Sequence, residues 1–344
     1  MGEKISLKTY ILSRILITIP MIFILLTIVF IVMRALPGDP VSMLEGKDIP
    51  EEVLARRRAE LGLDKPLYIQ YISYISSVLR GDLGVTALEK VPVAQYIAMR
   101  LPATVELAIS SSIIAILIGV FLGVVASFFK QKYLMPLARI YSSIVFSIPV
   151  FYLGLLFQAS LGVGIGLFPT GGRVSPLNDI VLSKAPVRTN FVIIDSLLVG
   201  RPDIILDFLS HIILPSLTLG IYLSSIFARV TYLSLQEILS QEFVVAARSR
   251  GLLDSIIIWR YGVRNVLIPL TTMAGLQIAA LLGGAVLTET VFSWPGIGSL
   301  VYEGILKRDY ALVQGVVTIY AFIVAVTNLL VDIIYAYVDP RVRF

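Results

Sequence analysis

Six long stretches of the 344-residue chain contain no aspartate, glutamate, lysine or arginine. They cover residues 15–33, 107–129, 140–172, 208–228, 265–288 and 310–331. A membrane-spanning helix needs about 20 mostly apolar residues, and in hydrocarbon every backbone polar group must be bonded within its own segment. The sequence therefore predicts an all-α protein that crosses a membrane six times. The third stretch is long enough that we expect its end, residues 162–166, to leave the membrane as a loop.

The basic residues predict how the chain is oriented. With six spans, four basic groups fall on one side of the membrane, as the positive-inside rule requires of the cytoplasmic side. They are Lys4, Lys8 and Arg14; Lys130, Lys132 and Arg139; Arg248, Arg250, Arg260 and Arg264; and Arg341 and Arg343. Both termini are then cytoplasmic. The net charge of +5 is explained by topology, and we predict no nucleic-acid partner. The 19 uncharged residues of the first stretch exceed the apolar part of a signal peptide, so we expect an uncleaved helix.

The composition excludes several kinds of chemistry. The chain has no cysteine and one histidine, His211, which rules out disulfides, cysteine nucleophiles and multi-histidine metal centres. We predict no metal site and no catalytic residues, and we expect His211, beside the outer end of the fourth span, to be bonded to a neighbour or to lipid headgroups.

The six stretches divide the chain into four parts. Residues 1–36 form an N-terminal tail and the first helix, and residues 37–101 an extracytoplasmic segment. In that segment we expect a surface helix over residues 51–61 that stops at Gly62, and an amphipathic helix over 67–79, which together form a small helical cap lying on the outer membrane face. Residues 102–338 form the core with spans two to six, an ordered outer loop over 167–207 and a cytoplasmic loop over 230–265. Residues 339–344 are a cytoplasmic tail.

Small residues four apart form a ridge on the second and the fifth span, which lets helix backbones approach closely. The ridges are Ala115, Gly119, Gly123 and Ser127, and Gly275, Ala279 and Gly283. The spacing favours packing within the chain over a contact between subunits.

The loop between the fourth and fifth spans contains a short amphipathic helix. Phe243, Ala246, Ala247 and Arg250 recur at i, i+3, i+4 and i+7 and are expected on one face, and Gly251 suits the left-handed conformation that ends a helix. Two adjacent alanines allow a partner close to the backbone. We expect Asp254 or Ser255 to cap a second short helix, before Pro269 opens the fifth span. From the residues alone, an interfacial linker is the favoured interpretation.

Motifs along nearly the whole chain carry a resemblance to a known family. Residues 246–251 (AARSRG) and 264–269 (RNVLIP) resemble the EAA loop of permeases of ABC importers, in the form of the dipeptide/oligopeptide and nickel branch. Val245 stands at the family's glutamate position, which is typical of this branch. Other matching segments are LPGDP at 36–40, ELGLD at 60–64, RGDLG at 80–84, LPATVEL at 101–107, LPSLTLG at 214–220, WPGIG at 294–298, RDY at 308–310, VQG at 313–315 and DPR at 339–341. The order is that of the B-type membrane subunit.

The resemblance implies a six-helix permease subunit of a type I ABC importer in the plasma membrane of a prokaryote. Such a subunit works with a second, homologous permease, two cytoplasmic ATPases and an extracytoplasmic binding protein. The sequence has no G-x-x-x-x-G-K-[ST] phosphate loop, so ATP and Mg²⁺ would be bound by the ATPases and this chain would bind no cofactor. The resemblance places Phe243, Ala246, Ala247, Arg248, Arg250 and Gly251 where the ATPase docks.

The transported substrate stays open at this point. Di- or oligopeptides are expected, with oligosaccharides or nickel as alternatives for the same machine. A stand-alone secondary transporter would need carboxylates in mid-membrane and repeat symmetry, and neither is apparent. An intramembrane enzyme would need a nucleophile or a metal constellation.

Polar residues at membrane depth are expensive and usually functional. Gln158, Gln277, Asn328 and Asp332 are therefore candidates for the translocation path, and Asn328 and Asp332 share one face of the sixth span. Asp332 could instead pair with a loop arginine. Glu106 and Glu289 lie near the predicted outer ends of the second and fifth spans, where they could form a gate.

Overall fold

The computed structural model describes residues 7–35, 50–60, 62–87, 89–128, 134–283 and 285–338. Some predicted features lie at least in part outside these ranges: the start of the N-terminal tail, the segment over residues 36–40, Leu61 at the end of the predicted surface helix, the basic residues Lys130 and Lys132, and the C-terminal tail over 339–344.

The described residues are helical almost throughout, as predicted. The helices in chain order are α1 Leu7–Ala35, α2 Glu51–Glu60, α3 Leu67–Leu79, α4 Val93–Phe128, α5 Leu134–Ser147, α6 Val150–Gly164, α7 Pro176–Leu182, α8 Val192–Leu198, α9 Asp203–Leu239, α10 Glu242–Ser249, α11 Asp254–Leu282, α12 Val286–Val291, α13 Ile297–Leu306 and α14 Tyr310–Val338. In the ranges that the structure describes, the one β feature is an isolated antiparallel bridge between Val85 and Pro92.

Five of the described helices are long and apolar enough to cross a membrane: α1, α4, α9, α11 and α14. The third predicted span is instead broken into α5 and α6, which meet at an angle of 93°. The break falls at Ile148 because Pro149 disfavours helical backbone in the residue before it. With α5 and α6 counted as one broken span, the described residues contain six candidate crossings, the number predicted.

Several predicted boundaries are wrong by a few residues. The helix α4 begins at Val93, so the last residues of the segment predicted over 37–101 already belong to this helix. Pro269 does not open a helix, because it lies inside the helix that starts at Asp254 and is π-helical over Ile257–Val263. The end of the third stretch also stays helical to Gly164 in a π-helical turn. Apolar length sets which segment spans, whereas tertiary packing sets where it begins.

The two ridges of small residues pack inside the chain, as predicted. A side chain at Gly119 would collide with Phe227, and one at Gly123 would meet Thr231, so α4 and α9 lie backbone to backbone. On the second ridge, Gly275 faces Val331 of α14. Close approach of this kind maximises van der Waals contact between helices in lipid.

The predicted helices on either side of Gly62 are confirmed over Glu51–Glu60 and Leu67–Leu79. Gly62 has a φ of +65°, a left-handed conformation that glycine adopts without steric penalty. The loop over residues 167–207 is ordered as expected and contains α7 and α8.

Candidate coupling helix, polar clasp and translocation cavities

The short helix α10 follows α9 directly and is held by its apolar inner face. Val244 is fully buried and Ala247 is 7% exposed. Both belong to one apolar cluster with Leu235 of α9 and Ile257 of α11. Burying these side chains against both neighbouring helices fixes the orientation of α10 on the end of the bundle.

The prediction that Ala247 shares an exposed face with Phe243, Ala246 and Arg250 is wrong for Ala247. Its position three residues after Val244 turns it towards the bundle, whereas Phe243, Ala246 and Arg250 are exposed. Phe243 lies at the flank, with its ring 6.3 Å from that of Tyr261. The outward surface of α10, hereafter the coupling surface, consists of Glu242, Val245, Ala246 and Ser249.

The end of α10 has the predicted left-handed glycine. Gly251 has a φ of +79° and open space around its Cα. Asp254 does not cap the next helix, because the N-cap residue is Leu253 and no side chain bonds there. Asp254 instead accepts a hydrogen bond from Arg248 Nε over 3.0 Å, so the pair spans the turn between the two helices.

Three exposed apolar side chains follow Gly251 and were not predicted as a binding feature. Leu253 is 67%, Ile256 42% and Trp259 61% exposed. A tryptophan and two aliphatic residues three apart, next to an amphipathic helix, are the sequence signal that could have identified them. Large exposed apolar groups of this kind are typical of a surface that contacts a protein partner or the membrane.

At the opposite end of the bundle a buried carboxylate connects α4 to the turn before α13. Glu289 has no exposed surface. Its carboxylate accepts hydrogen bonds from Thr104 Oγ1 and from the Ser299 N–H, each over 2.8 Å. Thr104 Oγ1 in turn accepts one from the Ile297 N–H over 2.8 Å, and Trp294 Nε1 donates to the Ala103 carbonyl. These residues are called the Glu289 clasp.

Two glycines make the clasp compact. A Cβ at Gly296 would collide with the Glu289 carboxylate, and one at Gly298 would lie 2.8 Å from it. Glu289 belongs to the short helix α12, outside the long spans. Burial raises the pKa of its carboxyl group, and the hydrogen bonds from Ser299 and Thr104 act in the opposite direction. Because both carboxylate oxygens accept hydrogen bonds, this buried group is not left unsatisfied.

Glu106 forms a second and separate set of contacts. It pairs with Arg173, whose Nε donates over 2.9 Å, and it accepts from the Val192 N–H over 2.9 Å. Arg173 also donates to the Asn190 carbonyl over 2.7 Å. Glu106 therefore holds the 167–207 loop on α4. Glu106 contacts the 167–207 loop whereas Glu289 contacts Thr104 of α4 and Ser299 of α13, so the gate bond that was considered between the two is not formed.

Other polar residues at this end are also paired locally. His211 Nδ1 lies 2.8 Å from the Asp207 carbonyl and 3.2 Å from its carboxylate, as expected of a histidine bonded to a neighbour. Gln158 donates to the carbonyls of Thr170 and Val291. It thus joins α6 to the following loop and to α12.

Two cavities lie along α9 and α11. The larger, of about 770 Å³, is lined by α5, α9 and Met273 of α11, with Arg229 as its charged residue and Tyr232 and Ser142 among its polar ones. The smaller, of about 320 Å³, is lined by Gln277 together with Tyr222 and Thr288. Gln277 is therefore placed on a cavity. Arg229 was missed because it directly follows an uncharged stretch and resembles a boundary residue.

Asn328 and Asp332 line neither of these two cavities. Asp332 Oδ2 lies 3.3 Å from Arg14 Nη1, and both side chains are a little over a third exposed. The partner of Asp332 is thus an arginine of the first span and not of a loop. Asn328 is half-buried on α14.

The described part of the chain contains no group of three or more histidine, aspartate or glutamate side chains placed to hold a metal ion.

A bundle of long apolar helices defines a polytopic membrane protein. The chain belongs to the family of binding-protein-dependent transport system inner membrane components. That family's profile matches residues 91–344, and the profile of the N-terminal part of such membrane components matches residues 7–108. It is therefore a multi-pass protein of the plasma membrane.

Relatives match over the whole length. The dipeptide transport system permease protein DppB of Escherichia coli (strain K12) is 36% identical over 335 residues, which cover 97% of this chain and 98% of that protein. The glutathione transport system permease protein GsiC of Salmonella typhimurium (strain LT2) is 34% identical over 335 residues, 97% of this chain and 99% of that protein.

A solved structure has the same fold. The methionine ABC transporter MetNI, in an inward-facing conformation, aligns with a TM-score of 0.52 and 17% identity, over 71% of this chain and 97% of that one. This likeness confirms the predicted type I ABC importer permease fold.

Proposed function

We propose that the chain is the membrane subunit of an ATP-driven importer of di- or oligopeptides and forms half of its translocation pathway. The similarity to a dipeptide permease over 97% of the chain is the observation that carries this proposal. The subunit performs no chemistry. It binds partners, lines a path and changes conformation.

The coupling surface of α10 receives one of two cytoplasmic ATPases. In support, α10 is seated by Val244 and Ala247 while Val245 is 56% exposed, so a partner that pushes on the exposed face moves the bundle and not only the helix. Leu253 and Trp259 extend the exposed apolar area. ATP and Mg²⁺ are bound by the ATPases, a second homologous permease completes the path, and an extracytoplasmic binding protein delivers the substrate.

Both termini and α10 face the cytoplasm in this proposal, and the Glu289 clasp faces outside. The basic residues support that orientation. Glu52 and Ser249 are exposed, and single cysteines are informative because the chain has none. Glu52→Cys should react with an impermeant thiol reagent in intact cells and Ser249→Cys should not. The reverse labelling would invert the topology.

The substrate path follows the cavities along α9 and α11. Arg229 and Gln277 line them and offer donors to the carboxylate and carbonyl groups of a peptide. Asn328 remains a predicted path residue, and the pairing of Asp332 with Arg14 supports an anchoring role for Asp332. In alternating access, one end of the path opens while the other closes.

The test is reconstitution of the complete complex in proteoliposomes with its binding protein outside. We expect this chain to co-purify with ATPase subunits, and dipeptides to stimulate ATP hydrolysis and accumulate in the vesicles. Nickel, an oligosaccharide and glutathione serve as competing substrates. Stimulation by nickel or the oligosaccharide alone would overturn the peptide assignment. Transport without any ATPase subunit would overturn the importer assignment.

A further inference from the structure

The helix α3 is fixed to the sides of two spans by its tyrosines. Tyr71 Oη lies 2.6 Å from Thr27 Oγ1 of α1, and Tyr74 Oη lies 2.8 Å from Thr318 Oγ1 of α14. The Phe30 ring contacts both tyrosine rings, with centroids 5.3 and 5.8 Å away. The helix therefore has a defined depth relative to α1 and α14.

That depth can be measured from the charged residues that bound the two spans. Thr27 precedes Arg34 by seven residues, and Thr318 follows Asp309 by nine. At 1.5 Å per residue the two hydroxyls lie about 10 and about 13 Å inside the charged ends of their spans. The hydroxyls of Tyr71 and Tyr74 therefore lie below the level of Arg34 and Asp309, and α3 runs beside these ends of the two spans. The sequence alone had predicted a cap resting on the membrane surface.

One edge of α3 is apolar and uncovered. Tyr68 is 66%, Ile72 64% and Leu79 70% exposed. Successive helical residues are separated by about 100°, which places these three side chains within about 40° of one another.

The opposite edge of α3 is polar. Gln70, Ser73 and Ser77 lie about 150° from the apolar edge around the helix. All three line a cavity of about 290 Å³, which Arg34 and Lys65 also line. A helix with an apolar edge on one side and hydroxyl, amide and basic groups on the other is suited to a boundary between hydrocarbon and water.

We propose that α3 is an interfacial helix whose Tyr68, Ile72 and Leu79 insert among the phospholipid acyl chains of the leaflet at the Arg34 end of α1. The depth of Tyr71 and Tyr74 places the apolar edge beside hydrocarbon, and tyrosines concentrate at this level of the membrane. The neighbouring span supports the same occupant, because Ile24, Ile28 and Ile31 of α1 are each more than half exposed. The proposal does not depend on which substrate the protein transports.

The first experiment uses the unmodified chain in its complete complex. The complex is reconstituted into bilayers of phosphatidylethanolamine and phosphatidylglycerol that contain a trace of phospholipid with a photoactivatable diazirine in its acyl chain. After illumination, mass spectrometry should find labels on Tyr68, Ile72 and Leu79 and not on Ser73 or Ser77. Absence of label from α3, with α1 labelled at Ile24 and Ile28, would overturn the proposal.

The second experiment separates water and protein from lipid as the occupant. Spin labels are attached to Ile72→Cys and Leu79→Cys, with Ser73→Cys as the matched control one residue away. Spin labels at positions 72 and 79 should collide more often with oxygen than with an aqueous nickel chelate, as expected for a depth of about 5–10 Å below the phosphates. For the spin label at position 73 the nickel chelate should be the more frequent collision partner. Higher access of the nickel chelate at 72 would show a water-facing helix, and low access of both reagents would show a protein partner. Either result would overturn the proposal.

Discussion

The two ends of the bundle are built by opposite means. At the α10 end, apolar side chains seat a short helix while other apolar side chains, Val245 and Trp259 among them, remain exposed. At the other end, the Glu289 clasp is buried and its polar atoms are hydrogen-bonded to one another. Exposed apolar surface is available to a partner, whereas a saturated buried network fixes positions within one chain. Under the proposed function, the first end is suited to receive a partner and the second is a joint that holds the chain together.

The clasp is the place where a single change should have the largest effect. Glu289→Ala leaves the Ser299 N–H and the Thr104 hydroxyl without their buried acceptor, and each stranded group costs about 1–3 kcal/mol. We expect a lower unfolding temperature of the purified complex and a lower yield. Glu289→Gln, which keeps an acceptor oxygen and the shape, should retain most of the stability, and Glu242→Ala at an exposed carboxylate should retain all of it. If the Glu289→Ala complex were as stable as the parent, the clasp would not be what holds this end of the bundle together.

Substitutions of the two adjacent alanines of α10 distinguish the packing of this helix on the bundle from the docking of a partner. Ala247→Arg overfills a packed site, at about 1–3 kcal/mol, and should reduce the amount of folded protein. Ala246→Arg lies on the coupling surface and should leave that amount unchanged while it abolishes substrate-stimulated ATP hydrolysis. Protein yield and ATPase activity per complex are the two measurements. If the two variants exchanged phenotypes, the inward face assigned to α10 would be wrong.

The turn at Gly251 should have a smaller effect. A residue with a Cβ in the left-handed region costs about 1–2 kcal/mol, so Gly251→Ala should weaken the stimulation of ATP hydrolysis without abolishing it. Gly251→Asn should be milder because asparagine tolerates this conformation. Equal activity of Gly251→Ala and the parent in a titration of ATPase stimulation against binding protein would show that the turn does not position the coupling surface.

The pair of Arg14 and Asp332 should give the smallest effect. Both side chains are more than a third exposed, so screening leaves a contribution of about 0–1 kcal/mol. Asp332→Asn should slightly reduce the amount of assembled complex, and adding Arg14→Gln should restore part of it because no unpaired charge remains. Transport per assembled complex is the second measurement, and its loss in Asp332→Asn at normal yield would return Asp332 to the translocation path.

Local sequence predicted the features that depend on neighbours along the chain. Apolar length predicted the spans, small residues four apart predicted close helix packing at Gly119, and the position of Gly251 after an amphipathic run predicted its positive φ. Each of these follows from helical geometry within a few residues.

The features that sequence could not supply depend on distant partners. Glu289 and Thr104 are 185 residues apart, and Arg14 and Asp332 are further apart still, so no periodicity indicates either pair. The inward turn of Ala247 depends on packing against Ile257 and Leu235, because the helical face by itself does not say which side is covered. The 93° bend between α5 and α6 similarly required the folded arrangement, since a proline can either kink or start a helix.

The glycine contacts between α4 and α9 have a mechanical consequence. Gly119 and Gly123 of α4 press on α9, and Gly220 of α9 presses on Ile114 of α4, so each helix notches into the other and neither can slide along its axis. From Ser216 to Leu239 the stretch of α9 beyond Pro215 is about 36 Å long. The notched pair connects α10 directly to the middle of the bundle, and under the proposed function it is the part of the chain that would carry a displacement of α10 into the membrane.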